Sequence, residues 1–248
     1  MATCGFCGSL PREASTIVVN NNNRNNDNNN DKYPHKRWMG DLVASKRNVT
    51  LKRMVLPGSH QTATYSIPSQ KIGSAVAKTQ NLTIREQLLL GVRFLDLRIA
   101  SNSNSNESGV NIFHGPFMGC TFEAALQEIS GFCEQFPTEF VVLRVKAESR
   151  RPFVATDKQG ALESMRKCFG NPSDPPSERL LCKADRVESI FNSTLQHVIE
   201  QRGRVCVLLD PNHGFYDDVD FGYDTPFQVK KEYEFFDASQ WLFDDEWQ

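Results

Sequence analysis

Long apolar runs, a net charge of one sign and histidine are what this 248-residue chain is short of. No run of apolar side chains approaches the ~20 residues that cross a bilayer, so a membrane-spanning helix is excluded on length. The formal net charge is only −2, which argues against a nucleic-acid binder held by bulk electrostatics. The first residues lack a basic stretch followed by an apolar one, so a standard secretory signal peptide is not expected. The seven cysteines are odd in number and scattered, which reads as reduced thiols in a cytosolic protein. A Cys4/Cys7 pair has zinc-like spacing, but no second ligand pair follows, and the asparagine-rich stretch behind it excludes the βαβ context of a redox motif. With disulfides not expected, Asn81-Leu82-Thr83 carries no glycosylation message.

What is present begins near residue 36, where the composition changes. Within residues 1–35 the tract Asn20–Asp31, interrupted only by Arg24 and Asp27, offers no apolar face to bury. That segment is read as disordered and residues 36–248 as one α/β domain; a hydrophobic content of 39% supplies enough apolar surface for a core. Apolar runs at Met54–Leu56, Phe94–Ile99, Ile112–Phe113, Phe140–Val145 and Val205–Leu209 read as buried parallel strands separated by helical patterns. Thr83 and Glu86 form a capping box that opens a helix ending near Gly91, and the strand carrying Asp96 and Arg98 is expected to follow at once. Strand alternation places Asp96 and Arg98 on one face and Leu95 and Leu97 on the other.

Histidine is rare here, five residues in all, and two of the five, His60 in LPGSHQTATYSIP and His114 in NIFHGPF, bracket the segment that delivers Arg98. A single strand-end histidine is more often a satisfied surface or core residue than a catalyst. Two imidazoles with a guanidinium are another matter. One imidazole can take a proton from an attacking hydroxyl, the second can protonate a departing oxygen, and the planar guanidinium can hold charge building on phosphate oxygens. Asp96 could neutralise Arg98 and so fix its fork. Lys146, at the end of EFVVLRVKAE, reads equally as an oxyanion donor or as a lysine snorkelling from a strand end.

The motifs LPGSHQTATYSI, QNLTIREQLLLGVRFLDLR, FHGPF and EFVVLRVKAE occur in the order and approximate spacing of the X region of phosphatidylinositol-specific phospholipase C. Over roughly Arg37 to Asp210 the chain resembles the small metal-independent members, of bacterial and X-domain-only type. The resemblance implies a (β/α) barrel of TIM type, closed or slightly distorted, with catalytic groups at the C-terminal ends of strands. It implies His60 as general base on an inositol 2-hydroxyl, His114 as general acid to the diacylglycerol oxygen, and Arg98 as charge stabiliser supported by Asp96 and Gln61. Lys146 stands where metal-dependent relatives carry an acidic calcium ligand, so the implied mechanism needs no metal cofactor. Asp210 is a candidate for substrate hydroxyl contact, with a strand-end cap as its other reading. The implied partner is a membrane inositol phospholipid met by peripheral contact, and a cytoplasmic monomer is expected; reversible acylation of Cys4 and Cys7 would suit such an enzyme, plain exposed thiols being the alternative.

Two features depart from the pattern. Gln61 stands where metal-independent members usually have Asp, and an amide can orient a guanidinium without supplying charge. After Pro226–Lys231, read as a sixth strand, too little chain remains for two more βα units, and the late-strand Asp that orients the first histidine in relatives has no counterpart. Either the barrel is short and irregular, or the chain is a fragment, or another segment closes it. The competing functional class is a catalytically weak module that binds phosphoinositide head groups. A metal-dependent glycerophosphodiesterase would want a carboxylate cluster that the sequence does not offer.

Overall fold

The computed structural model describes residues 32–45, 49–69, 73–102, 109–148, 153–183 and 187–209, together with the backbone of 223–224. Cys4, Cys7, the asparagine tract, Asp210 and the expected strand at Pro226–Lys231 lie outside the described residues.

The strands are β1 (Gly58–Ser59), β2 (Phe94–Ser101), β3 (Val110–His114), β4 (Phe117–Thr121), β5 (Val141–Ala147), β6 (Val205–Leu209) and β7 (Tyr223–Asp224). They form one mixed sheet in the order β4-β3-β2-β5-β6-β7, with β1 pairing the start of β2. The line β1, β2, β5, β6, β7 is parallel throughout, as βαβ crossovers require. Among the described residues the sheet is open, a mixed α/β layer without barrel closure.

Two expectations are corrected. Ile112–Phe113 is a strand but an antiparallel one, because β3 and β4 form a hairpin whose two-residue loop puts Gly115 at φ 55°. That is the position primed turns reserve for glycine, and such a turn returns the chain on itself. Met54–Leu56 is not a strand, although Met54 and Leu56 are buried on either side of an exposed Val55: Leu51–Arg53 is a 3₁₀ turn, and pairing with β2 begins only at Gly58. The capping box is present as read, with the Thr83 side chain accepting from Glu86 N–H and the Glu86 side chain accepting from Thr83 N–H. The helix it opens (Ile84–Leu89) stops before Gly91, whose φ of 108° strains any residue with a side chain and where a Cβ would crowd His35, and Val92 and Arg93 intervene before β2.

Helices cover both faces, which is why the parallel strands read as nearly unbroken apolar runs. In chain order they are α1 (Trp38–Ala44), α2 (Ser74–Ala77), α3 (Ile84–Leu89), α4 (Phe122–Gln135), α5 (Ala155–Phe169), α6 (Val187–Phe191) and α7 (Leu195–Gln201). Leu95, Leu97, Ile99, Leu143, Val145 and Val207 pack against α3, α4 and α5. On the opposite face Phe94, Val142, Cys206 and Leu208 pack with Met39, Leu51, Met54 and residues of α6 and α7. Each fully buried large apolar side chain contributes about 1.5–3 kcal/mol, so both faces are committed to burial. The second face changes character partway along the strands: beyond Phe94 and Val142 it continues as Asp96, Arg98, Arg144 and Lys146.

A buried ion pair sits under the starts of β2 and β5. Arg93, fully buried, donates to Glu139 through Nε at 3.0 Å and Nη2 at 2.6 Å, and to the carbonyls of Leu88, Val92 and Lys36. Glu139 in turn accepts from the N–H groups of Met39 and Gly40 at the start of α1. All five N–H bonds of the guanidinium have acceptors, the condition under which a buried charge is tolerated.

Candidate active site

β1 is only two residues long, and this brevity builds the site. It pairs with β2 at Phe94 and Leu95, while β3 pairs with β2 at Ile99, Ala100 and Ser101. The stretch of β2 left between them is Asp96–Leu97–Arg98, and the residues at which the two neighbouring strands run out are His60 and His114. His60 and His114 thus stand at strand ends as expected, and Arg98 does not. Asp96 and Arg98 lie within a strand that the β3–β4 hairpin prolongs to Ser101.

The ladder past β1 is completed by a side chain. Thr62 N–H donates to Asp96 C=O at 2.8 Å, and Asp96 N–H donates to Thr62 Oγ1 at 2.9 Å. Thr62 is fully buried, and its hydroxyl also donates to Ser59 C=O. This latch ties the turn 59–62 to β2 and swings His60 and Gln61 over the Asp96 carboxyl.

Asp96 is fully buried and is the hub. Its Oδ2 lies 3.4 Å from His60 Nδ1, 3.4 Å from Arg98 Nε and 3.3 Å from Gln61 N–H; its Oδ1 faces Arg144 Nη1 at 4.0 Å. The His60 contact is an ion-pair distance rather than a well-aligned hydrogen bond. Burial by itself pushes the carboxyl up, but the His60 contact and the positive charges of Arg98 and Arg144 outweigh it and hold Asp96 at about 2. The site carboxylate is thus ionised at any ordinary pH.

Gln61 meets the hub differently from expectation. Its backbone N–H makes the contact, at a φ of 46° that is uncommon for a residue with a side chain, and its buried Oε1 has no hydrogen-bond partner among the described residues. The strained turn aims the N–H at Asp96.

The last residue of α2 and the segment after it hold both histidines. Ala77 C=O lies 2.8 Å from His114 Nδ1, and a carbonyl can only accept, so Nδ1 carries the proton and Nε2 is left as the reactive nitrogen. Three residues on, Gln80 Nε2 donates to His60 C=O at 3.0 Å, and Thr79 Oγ1 donates to it at 3.4 Å. Lys146 stands beside Arg98 in the β2–β5 register, and Arg144 stands beside Asp96. Asp210 lies outside the described residues. Sequence reasoning missed Thr62, Gln80, the Ala77 carbonyl and Arg144. Only Arg144 left a signal: in VVLRVKAE it shares the alternation of Lys146, and one face of a buried strand carries both cations.

Residues 54–173 match the sequence profile of the family described as phosphatidylinositol-specific phospholipase C, X domain. They contain His60, Asp96, Arg98, His114 and Lys146. The chain carries a phosphatidylinositol-specific phospholipase C X domain. Among relatives, PI-PLC X domain-containing protein 2 of Mus musculus is 31% identical over 192 residues, covering 69% of this chain and 52% of that protein. The 1-phosphatidylinositol phosphodiesterase of Listeria monocytogenes is 30% identical over 115 residues, covering 46% of this chain and 33% of that protein. Each match thus spans about half or less of the relative's own length. The solved phosphatidylinositol-specific phospholipase C of Listeria monocytogenes superposes with a TM-score of 0.53 at 21% identity, over 77% of this chain and 63% of that one. That likeness establishes a shared mixed α/β fold for the X domain. No helix of the described residues is long and apolar enough to cross a membrane.

Proposed function

We propose that this X domain cleaves inositol phospholipids, or their glycosylated forms, at the diacylglycerol side of phosphorus. The observation that carries the reading is Asp96 Oδ2, 3.4 Å from both an imidazole and a guanidinium at the floor of a polar patch that lies within the residues matching the X-domain family. His60, its Nδ1 toward Asp96, takes the proton of the inositol 2-hydroxyl through Nε2; the carboxylate favours the imidazolium that results. The hydroxyl attacks phosphorus within the same molecule, an arrangement with a large proximity advantage, and the product is a cyclic inositol phosphate. His114, with Nδ1–H held by Ala77 C=O, protonates the departing diacylglycerol oxygen through Nε2. Arg98 stabilises charge on the phosphate oxygens, and Lys146, its neighbour in register, is assigned to substrate oxygen contact. Asp210 is assigned to substrate hydroxyl contact on sequence grounds alone. The chemistry requires no metal, the TIM-type barrel belongs to the same proposal, and the enzyme meets its lipid as a peripheral monomer.

The test is an assay of purified protein on phosphatidylinositol, its phosphorylated forms and glycosyl-phosphatidylinositol, with and without EDTA. Cleavage of at least one lipid, unchanged by chelation, is expected. Loss of all activity in EDTA with recovery on adding Ca²⁺ overturns metal independence. Binding without cleavage of any of the three favours a head-group-binding module, the reading to which Gln61 in place of an acidic residue points.

A further inference from the structure

We propose that Arg144 is a positioning residue of this site, acting through Asp96 on His60 and Arg98. The inference rests on the cleavage reading above. β2 and β5 run parallel with Asp96 beside Arg144 and Arg98 beside Lys146, so four charged side chains share one face where the rest of both strands, Ser101 apart, is apolar. Among the described residues the groups facing Asp96 come from three elements: His60 and the Gln61 N–H from the turn after β1, Arg98 from its own strand, and Arg144 from β5.

These contacts are divided unequally between the two carboxyl oxygens. Oδ2 takes the N–H of Gln61 and faces His60 Nδ1 and Arg98 Nε, all within 3.3–3.4 Å. Oδ1 is buried and has no hydrogen bond among the described residues; the cation facing it is Arg144, with Nη1 at 4.0 Å. A carboxyl group turns about its Cβ–Cγ bond, and contacts gathered at one oxygen leave its plane undetermined. A guanidinium opposite the second oxygen sets that plane, and with it the direction in which Oδ2 meets both His60 and Arg98. Removing the guanidinium has two consequences. The carboxyl loses one of the charges that keep it ionised despite complete burial, and it becomes able to rotate away from its partners. Arg144 is one-sixth exposed, 17%, which fits a residue that reaches the site from its wall.

The experiment compares the full chain with Arg144→Met, which keeps the aliphatic length without charge, and Arg144→Lys, which restores charge without the planar fork. The first readout is the Asp96 carboxyl carbon followed by NMR in isotopically labelled protein, assigned with Asp96→Asn. In the unsubstituted protein it stays ionised through the acid range in which the fold persists; in Arg144→Met it titrates at higher pH, and Arg144→Lys returns it. The second readout is turnover. In Arg144→Met, kcat is expected to fall about 10–100-fold with KM within about twofold, and Arg144→Lys to recover part of the loss. An Asp96 titration identical in the unsubstituted protein and Arg144→Met overturns the proposal, as does a raised KM with unchanged kcat, which makes Arg144 a direct substrate contact. If Arg144→Met does not fold, Arg144→Gln replaces it in both readouts. Absence of cleavage in the unsubstituted protein counts against the functional reading alone, since the NMR readout still decides whether Arg144 governs Asp96.

Discussion

Asp96 Oδ2 is shared by an imidazole and a guanidinium, so the first histidine and the arginine are mechanically one unit. His114 is held separately, by a backbone carbonyl that no side-chain substitution removes. The two histidines should therefore respond differently to the leaving group. His60→Ala and His114→Ala are each expected to lower turnover by about 10²–10⁴-fold. A nitrophenyl ester of inositol phosphate, whose leaving group needs no proton, should partly restore His114→Ala and leave His60→Ala slow; equal restoration of both contradicts the assignment. Arg98→Lys keeps the charge and loses the fork. In an enzyme kcat drops steeply while liposome binding changes little, whereas in a binding module, with no transition state to favour, the same change weakens binding alone.

Among elements, the decisive one is the two-residue strand β1. Because β1 ends after two residues, Thr62 takes over the pairing of Asp96, and the turn 59–62 becomes part of the sheet. A longer β1 would carry His60 along the strand and away from the carboxyl. At the opposite end of the same strands, Glu139 joins β5 to the start of α1 and to Arg93 on the approach to β2. Glu139→Ala leaves the Arg93 charge buried without its counter-ion and is expected to cost about 3–5 kcal/mol, read as a lowered denaturant midpoint. Because this pair lies under the strand starts and the site on the residues beyond them, protein that remains folded should keep its KM. A midpoint shift within error means that the pair contributes nothing net.

For the whole molecule, the site carries a pH signature. Asp96 is held at about 2 against an ordinary value of 3.8. A carboxyl depressed in the folded state contributes stability that is fully present above about pH 4 and is lost as pH falls toward 2. The unfolding free energy of the protein minus that of Asp96→Asn should therefore shrink as pH drops through this window, in urea titrations at fixed ionic strength. A difference that stays constant from pH 6 to pH 2.5 shows that the carboxyl is not held low by its partners.

Local signals determined much by themselves. The capping box, the buried runs of β2, β5 and β6, and the shared face of Asp96 and Arg98 all follow from spacing, because helix capping and strand alternation are properties of neighbours in sequence. Tertiary structure decided what depends on pairing partners. That Ile112–Phe113 runs antiparallel, that Met54 and Leu56 are buried outside any strand, and that β2 continues past Ile99 to Ser101 are consequences of which chain lies alongside, and an apolar run carries no record of direction. Thr62, Gln80 and the Ala77 carbonyl were invisible for the same reason: hydroxyls, amides and carbonyls acquire a role only from what folding brings within hydrogen-bond reach. Arg144 was half legible. Its alternation with Lys146 placed it on the polar face, but only the β2–β5 register set it opposite Asp96.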